Sequence, residues 1–277
     1  GGVCSLTRDR STLQTVSRIG MFGALRLKLL GMLEWLGSFA VFLGDILRLT
    51  PRRPLRWRLL LEQMEHIGVQ SVPVITLSSL AIGMIFSLQI VDLLSLFRAE
   101  VVAGSAVAWT VSRELAPVIT TLMLIGKNGS AMSAELGSMR VTEQIDAMET
   151  MSVNPIHYLV VPRVWASVLM FPALTALANV VAIAGAYGVA VWGLSVDSAA
   201  YLDTMLRDLE PKDIISGIVK AAIMGFIVSV ICTFYGYNAS NGARGVGESS
   251  TKAVVTASVS ILVADYVLAS IMLALVY

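Results

Sequence analysis

The stretch AELGSMRVTEQIDAMETMSVNP, residues 134–155, is polar and acidic within a chain that is otherwise mostly apolar. Of the 277 residues, 56% are hydrophobic and only 14% are charged, and the mean hydropathy is +0.77. No glycine or proline lies between Gly137 and Pro155, so this stretch predicts a helix of about four turns. A polar helix here separates long apolar runs on either side of it.

Those apolar runs indicate an integral membrane protein, because each crossing of a bilayer needs about 20 predominantly apolar residues. They are rich in Leu, Val, Ile, Ala, Met and Gly without two-residue alternation, which favours helices over barrel strands. The predicted fold class is therefore an all-α integral membrane protein. Six candidate segments are present: Leu33–Leu49, Ser71–Phe97, Gly104–Ile125, Leu159–Leu194, Asp213–Tyr237 and Ala253–Tyr277.

The positions of the basic residues predict the topology, since Lys and Arg favour the cytoplasmic side. Arginines flank Leu33–Leu49 at both ends, and this short segment also contains Glu34 and Asp45. We therefore expect it to be a re-entrant or in-plane elbow rather than a crossing. The other five segments then alternate, with the N-terminus and the acidic helix inside and the C-terminus outside. Residues 1–32 are expected to form an interfacial amphipathic helix, and residues 33–277 a single transmembrane domain.

Two interpretations of the acidic helix remain open. It is either an ordinary solvated loop helix or a docking helix for a soluble partner. In the second case an apolar stripe fills a groove and carboxylates meet basic residues at its rim. The stripe consists of Val141, Ile145 and Met148, and the carboxylates are Glu143, Asp146 and Glu149.

Ionisable residues inside predicted spans are a stronger functional signal, because a charge near mid-bilayer is costly unless it has a partner or a wet cavity. Four such residues are present: Arg113, Glu114, Lys220 and Asp265. Their signs balance, so they can form a self-neutralising buried network. Alternatively, Lys220 extends to the interface and the other three hold helices together.

Other motifs argue against enzymatic chemistry in this chain. The sequence NGARGVGES, residues 241–249, has the glycine spacing of a phosphate loop, but Glu248 replaces the required lysine. We interpret it as a flexible glycine-rich inside loop that binds no nucleotide. His66 and His157 lie outside the spans and far apart, so we expect no metal site and no catalytic residue.

Three quoted stretches resemble the MlaE-type permeases, the transmembrane subunits of the MCE-associated lipid ABC transporters of diderm bacteria and plastids. The longest is SRELAPVITTLMLIGKNGSAMSAELGSMRVTEQIDAMETMSVNP, from Ser112 to Pro155. YLVVPRVWASVLMFPALT (Tyr158–Thr175) and TKAVVTASVSILVADYVLASIM (Thr251–Met272) extend the resemblance over nearly the whole chain after the basic N-terminus.

The resemblance assigns roles to particular positions. It implies that Glu135–Met151, within about residues 134–152, is the coupling helix received by a separate ATPase, and that the four intramembrane charges match the family in type. The docking residues it implies are Glu135, Arg140, Glu143, Gln144, Asp146 and Glu149. The lipid-contacting positions it implies are Phe86, Leu93, Leu94, Phe97 and Leu115.

The resemblance also implies an assembly. It consists of a homodimer with two copies of an ABC ATPase, an MCE-domain protein on the periplasmic side and often a small STAS-domain protein. ATP and Mg²⁺ would be bound by the ATPase, so no cofactor is expected in this chain, and the chain is not itself an enzyme.

The implied function is a permease that moves phospholipid between the inner membrane and an MCE-domain carrier, in traffic to or from the outer membrane. The expected location is the bacterial inner membrane, ahead of a plastid inner envelope. A competing interpretation is a non-translocating scaffold that anchors the MCE and ATPase proteins, and a weaker one is an intramembrane hydrolase.

Overall fold

The computed structural model describes residues 33–50, 57–240 and 242–276. The interfacial helix predicted for residues 1–32 lies outside the described residues. Contacts divide the chain into two compact units, Gly1–Arg48 and Leu49–Tyr277. The domain boundary predicted at residue 32 stays a prediction.

Helix α1, residues 33–49, contains the whole predicted elbow segment. Inside it, the rings of Trp35 and Phe39 stack with their centroids 5.5 Å apart, one helical turn from each other. The segment is therefore helical as expected, whereas its in-plane or re-entrant course stays a prediction.

The described part of the second unit consists of helices without a β-strand. The helices are α2 (Trp57–Ile67), α3 (Val72–Ser95), α4 (Ala103–Thr110), α5 (Ala116–Leu124), α6 (Ser130–Val141), α7 (Gln144–Thr150), α8 (Val161–Gly188), α9 (Ser198–Asp208), α10 (Pro211–Tyr237) and α11 (Gly242–Val276). The helical fold class is thus confirmed for the described residues.

Within the described residues, four helical stretches are long and apolar enough to cross a membrane. They are Trp57–Ser95, Ile156–Gly193, Pro211–Tyr237 and Gly242–Ala274. The predicted segment Gly104–Ile125 is helical but is not among the four. It contains Arg113 and Glu114, which lower its hydropathy, so five crossings stay a prediction.

Helices α4, α5 and α6 follow one another as a continuous rod from Ala103 to Val141. They are joined by two π-helical turns, Val111–Leu115 and Ile125–Gly129. A π turn holds one residue more than an α turn and frequently occurs at functional sites. The first π turn carries Arg113 and Glu114, so the rod changes its helical geometry where its charges lie.

Helix α8 packs between α3 and α10, and small residues allow the backbones to approach closely. A Cβ atom added at Gly83 of α3 would overlap the carbonyl oxygen of Ala182, and one at Gly217 of α10 would overlap that of Ser112. Close backbone approach at small residues is the usual packing of helices in membranes. It brings α10 directly against the first π turn of the rod.

Helix α9 packs against α4 and precedes α10. It begins at the cap Asp197, whose carboxylate accepts from the amide of Ala200 at 2.9 Å. Its Tyr201 is only 1% exposed and lies edge-on to Tyr187 with ring centroids 5.9 Å apart. Burial raises the pKa of Tyr201 above its ordinary value. The start of α10 is thereby fixed close to the charges of the rod.

Candidate functional site

The backbone carbonyl of Arg113, in the first π turn, lies at the centre of the site. Pro117 has no N–H, and its ring excludes the usual helical bond to the carbonyl four residues earlier, which belongs to Arg113. The Nζ of Lys220 on α10 donates to that carbonyl oxygen at 3.3 Å. A proline in the rod therefore creates an acceptor that a lysine of another helix satisfies, as backbone groups in membrane helices require.

The side chain of Arg113 is held by the first turn of α10. Its Nε and Nη2 donate to one carboxylate oxygen of Asp213 at 2.8 and 2.5 Å, and its guanidinium lies 4.0 Å from the ring centre of Trp109. The other oxygen of Asp213 accepts from the amide of Glu210 at 3.1 Å and completes a capping box. The Asp213 side chain is 2% exposed and that of Arg113 is 14% exposed. The carboxylate that holds Arg113 is thus fixed in place by the backbone at the start of α10.

Lys220 is shared between two helices. Its ammonium lies 2.6 Å from a carboxylate oxygen of Glu114 in the rod and 3.4 Å from one of Asp265 in α11. The Lys220 side chain is 2% exposed, whereas those of Glu114 and Asp265 are 43% and 21% exposed. One buried cation therefore connects α10 to two partly exposed carboxylates.

Of the charged residues that meet here, Arg113, Glu114, Lys220 and Asp265 are predicted from the sequence, whereas Asp213 is not. With Asp213 included, two cations face three carboxylates, so the formal charges no longer balance. The sequence nevertheless contains a signal for Asp213. Asp213 precedes Lys220 by seven residues, which places both on one helix face, and Glu210-Pro211 before it is a typical helix start.

The predicted single helix from Ala134 to Pro155 is wrong. Helix α6 ends at Val141, and α7 begins at Gln144 after a tight turn in which Glu143 adopts φ 58°. Arg140 and Asp146 form an ion pair across this turn. The turn forms without glycine because side-chain contacts on both sides of it compensate for the left-handed residue.

The apolar stripe of this segment faces the protein itself. Ile145 is fully buried and Val141 and Met148 are partly buried, so the hypothesis that the stripe fills a partner's groove is wrong for Ile145. The chain bends at Glu143 because only then can Ile145 reach the interior. The exposed residues of α7 are polar except for Ala147.

The six residues proposed for docking fall into two groups. Five form side-chain contacts within the chain: Arg140 and Asp146 pair with each other, Glu135 pairs with Arg163 of α8 at 3.0 Å, Glu149 accepts from the hydroxyl of Tyr237 at 3.2 Å, and Gln144 donates to the hydroxyl of Thr142 at 3.1 Å. Glu143 and Gln144 are exposed at the turn. Their role in docking stays a prediction, and the turn is the part of the segment that projects to solvent.

The five positions proposed for lipid contact lie in different environments. Leu93 and Phe97, at and just beyond the end of α3, are 53% and 74% exposed, and Phe86 is partly buried. Leu94 packs against the buried cluster that includes Tyr201. Leu115 lines a small crevice with residues of α3 and α8 instead.

The glycine-rich stretch at residues 241–249 is not a loop. From Gly242 onward it forms the first turns of α11, with an ion pair between Arg244 and Glu248 at 3.1 Å. Val246 packs at Gly137 of α6, where a side chain larger than hydrogen would crowd it. Packing against α6 thus overrides the low helix propensity of glycine.

The second π turn forms another polar contact that sequence analysis did not anticipate. Lys127 donates from Nζ to the backbone oxygen of Gln70 at 2.5 Å, and Asn128 donates to that of Ile67 at 3.0 Å. Desolvation by burial lowers the pKa of Lys127. These bonds satisfy carbonyls at the junction of α2 and α3 and attach the rod to that junction.

Long apolar helices around buried, mutually paired charges indicate a membrane protein. The chain belongs to a known family of this type: the family model described as "Permease MlaE" matches residues 60–271. In the described residues, no three His, Cys, Asp or Glu side chains are placed to hold a metal ion.

Curated relatives agree with this assignment. A "Probable ABC transporter permease protein" of Rickettsia felis is 40% identical over 232 residues, 84% of this chain and 90% of the relative. The "Intermembrane phospholipid transport system permease protein MlaE" of Haemophilus influenzae is 35% identical over 255 residues, 92% of this chain and 98% of the relative. "Protein TRIGALACTOSYLDIACYLGLYCEROL 1, chloroplastic" of Arabidopsis thaliana is 39% identical over 239 residues, 85% of this chain and 68% of the relative.

Proposed function

We propose that this chain is the membrane-spanning subunit of an ATP-driven transporter that moves phospholipid between the bacterial inner membrane and an MCE-domain carrier. The substrate class is supported by the Haemophilus relative, which is named a phospholipid transport permease. The observation that carries the mechanism is Lys220, buried between Glu114 and Asp265 on two different helices.

The shared lysine suits a protein that changes conformation. Two carboxylates on separate helices compete for one ammonium, and the geometry favours Glu114 at 2.6 Å over Asp265 at 3.4 Å. A small shift of α11 relative to the rod alters that preference without leaving Lys220 unpaired. Because an unpaired charge in the membrane is costly, such an exchange lets helices move at low cost.

The turn between α6 and α7 is the proposed contact for a separate ATPase, which binds ATP and Mg²⁺. Glu143 and Gln144 are exposed there, and the ion pair of Arg140 and Asp146 couples the turn to α6. Helix α6 continues through the rod to Arg113 and Glu114. A force applied at the turn therefore reaches the charge site through one continuous helix.

A second copy of this chain is the proposed neighbour of α11 and Glu114. The Glu114 side chain is 43% exposed, and a carboxylate in a membrane needs a wet cavity or another protein beside it. Helix α11 exposes a large apolar face. The remaining proposed partners are an MCE-domain protein on the periplasmic side and a small STAS-domain protein.

The proposed topology has five crossings, with the elbow and the N-terminus inside and the C-terminus outside. Single cysteines at the positions of Ser11 and Pro54 should both be protected from a membrane-impermeant thiol reagent added outside. Labelling of only one of them would mean that the segment between them crosses.

The proposed function is tested with the assembled complex in vesicles. ATP should drive transfer of a fluorescent phospholipid to the carrier, Lys220→Met should abolish most of this transfer, and the matched variant Lys212→Met should retain it. Lys212 pairs with Glu210 in a much more exposed ion pair. A wild-type complex that assembles and hydrolyses ATP without transferring lipid would instead support the scaffold.

A further inference from the structure

A cavity of about 440 Å³ lies beside the charge site, between α8, α9 and the start of α10. One wall is a helical stripe of α8 that runs from Ala176 to Tyr187. Leu202 and Met205 of α9 close one side, and Ile214 of α10 lines another. The volume falls within the range of small-molecule sites, about 300–1,000 Å³.

The walls of the cavity suit a hydrocarbon chain. None of the residues that line it carries a charge, and its surface is almost entirely apolar. Val180, which is 69% exposed, forms part of the rim. Val180 lies on α8, one of the helices that are long and apolar enough to span a membrane.

Two buried polar side chains line the same cavity. Asn179 is 4% exposed, and neither its Oδ1 nor its Nδ2 has a hydrogen-bond partner among the described residues. The hydroxyl of Ser112, in the first π turn, is fully buried and likewise lacks a partner in the described part of the chain. Buried polar groups are nearly always hydrogen-bonded, so two such groups at one cavity indicate a ligand.

The chemistry of these two side chains specifies the ligand group. A carboxamide both donates and accepts, and a serine hydroxyl also does both. A hydroxyl group of a ligand can donate to Asn179 Oδ1 and accept from Asn179 Nδ2 or Ser112. A phosphate headgroup is not matched, because no cation lines the cavity.

We propose that this cavity binds a neutral, hydroxyl-bearing lipid of the long-chain alcohol or monoacylglycerol class. The chain lies along the α8 stripe and the hydroxyl meets Asn179 and Ser112. None of the five positions proposed for lipid contact lines this cavity. Ser112 and Ile214 each adjoin a residue of the Arg113–Asp213 pair, so an occupant contacts the two backbone segments that this pair joins.

The test uses the purified protein in phosphatidylcholine nanodiscs with two photoactivatable probes of equal chain length, a hexadecanol and a hexadecane that each carry a diazirine. Adducts of the alcohol should concentrate on peptides of α8 and α9. Asn179→Leu should lower alcohol adducts by about fivefold, as expected for the loss of one hydrogen bond, and should leave hexadecane adducts unchanged. Ser112→Ala should act in the same direction.

Ala184→Trp, which fills the rim, should lower adducts of both probes, whereas Val259→Trp on the exposed face of α11 should lower neither. The proposal is overturned if alcohol adducts are spread equally over α3, α8 and α11. It is also overturned if Asn179→Leu leaves the alcohol adducts unchanged, as for a carboxamide that meets only water, or lowers both probes equally. None of these outcomes affects ATP-dependent phospholipid transfer, so the proposed function is tested separately.

Discussion

Arg113 and Lys220 lie on adjacent helices, and the ammonium of Lys220 even touches the backbone of Arg113, yet the two cations are held differently. Arg113 has a partner, Asp213, that is itself fixed by the capping box of α10. Lys220 is divided between Glu114 and Asp265, both of which are partly exposed and lie on separate helices.

The Arg113–Asp213 pair therefore acts as a fixed clamp between the rod and α10, whereas the contacts of Lys220 can be exchanged. The guanidinium cannot lose its proton in a protein, so Arg113 needs a permanent partner. The ammonium of Lys220 is a compact charge on a flexible side chain, so it can change its ion-pair partner from one carboxylate to the other. The Arg113–Asp213 pair is therefore expected to govern stability, and the Lys220 cluster is expected to govern transport.

Asp213→Ala should cause the largest effect, because it leaves Arg113 charged and buried and also removes the capping box. We expect a loss of about 3–5 kcal/mol in the free energy of unfolding, measured as the midpoint of thermal unfolding and the yield of monodisperse protein. Asp208→Ala, at the exposed end of α9, is the control. Equal unfolding midpoints for the two variants would show that the pair is not a clamp.

Lys220→Ala and Asp265→Ala should each reduce phospholipid transfer by about tenfold or more, with a smaller loss of stability than Asp213→Ala. The reason is that Glu114 and Asp265 are both partly exposed to solvent, and that Lys220 keeps Glu114 as a partner in Asp265→Ala. The same reconstituted vesicles report transfer, and thermal unfolding reports stability. Near-normal transfer in both variants would remove the cluster from the mechanism.

Exchanging the two charges of a pair tests this second prediction more directly. Lys220→Glu with Glu114→Lys should restore more transfer than Lys220→Asp with Asp265→Lys, because the first pair is in closer contact. A double variant that performs no better than the worse of its single variants would argue against that pairing.

The turn between α6 and α7 is a third region to compare, and it is exposed to water. Glu143→Lys with Gln144→Lys should weaken assembly with the ATPase, with an effect of about 2–5 kcal/mol if the contact is desolvated, and should leave the unfolding midpoint unchanged. Co-purification of the ATPase measures this. Asp146→Lys is a less clean test because it also breaks the pair with Arg140. Full assembly of the double variant would exclude the turn as the docking site.

Glu143→Gly should have the smallest effect. Glycine removes the side-chain strain at φ 58° but adds backbone freedom to the unfolded chain, so the net gain should stay below about 1 kcal/mol. Arg244→Ala, which breaks an exposed pair with Glu248, sets the baseline near zero. If Glu143→Gly destabilises the protein by more than this baseline variant does, the Glu143 side chain contributes contacts of its own.

Much of the helical architecture could be predicted because apolar composition is a direct requirement of the bilayer. The segments Ser71–Phe97, Leu159–Leu194 and Asp213–Tyr237 correspond closely to α3, to α8 with its π turns, and to α10. The paired charges could be suggested because unpaired ones are expensive in a membrane. Which carboxylate meets which cation depends on helix rotation and depth, and neither is encoded in local sequence.

The failures share one physical cause, which is tertiary packing that overrides local preference. The turn at Glu143 exists because Ile145 packs into the interior, and the glycine-rich start of α11 is helical because it packs against α6. Asp213 also depends on tertiary packing, because its partner Arg113 lies 100 residues away in the chain. The first π turn also has no signal in the amino-acid composition other than Pro117.

The separation in sequence between the paired residues also determines when, during synthesis, each pair can form. Arg113 and Asp213 are 100 residues apart, and Glu114 and Lys220 are 106 apart. At a synthesis rate of about 5–20 residues per second, the partners leave the ribosome roughly 5–20 seconds after Arg113 and Glu114 do. On the proposed topology, the nascent segment must therefore wait beside the insertion machinery, with its charges still in contact with water, until α10 arrives.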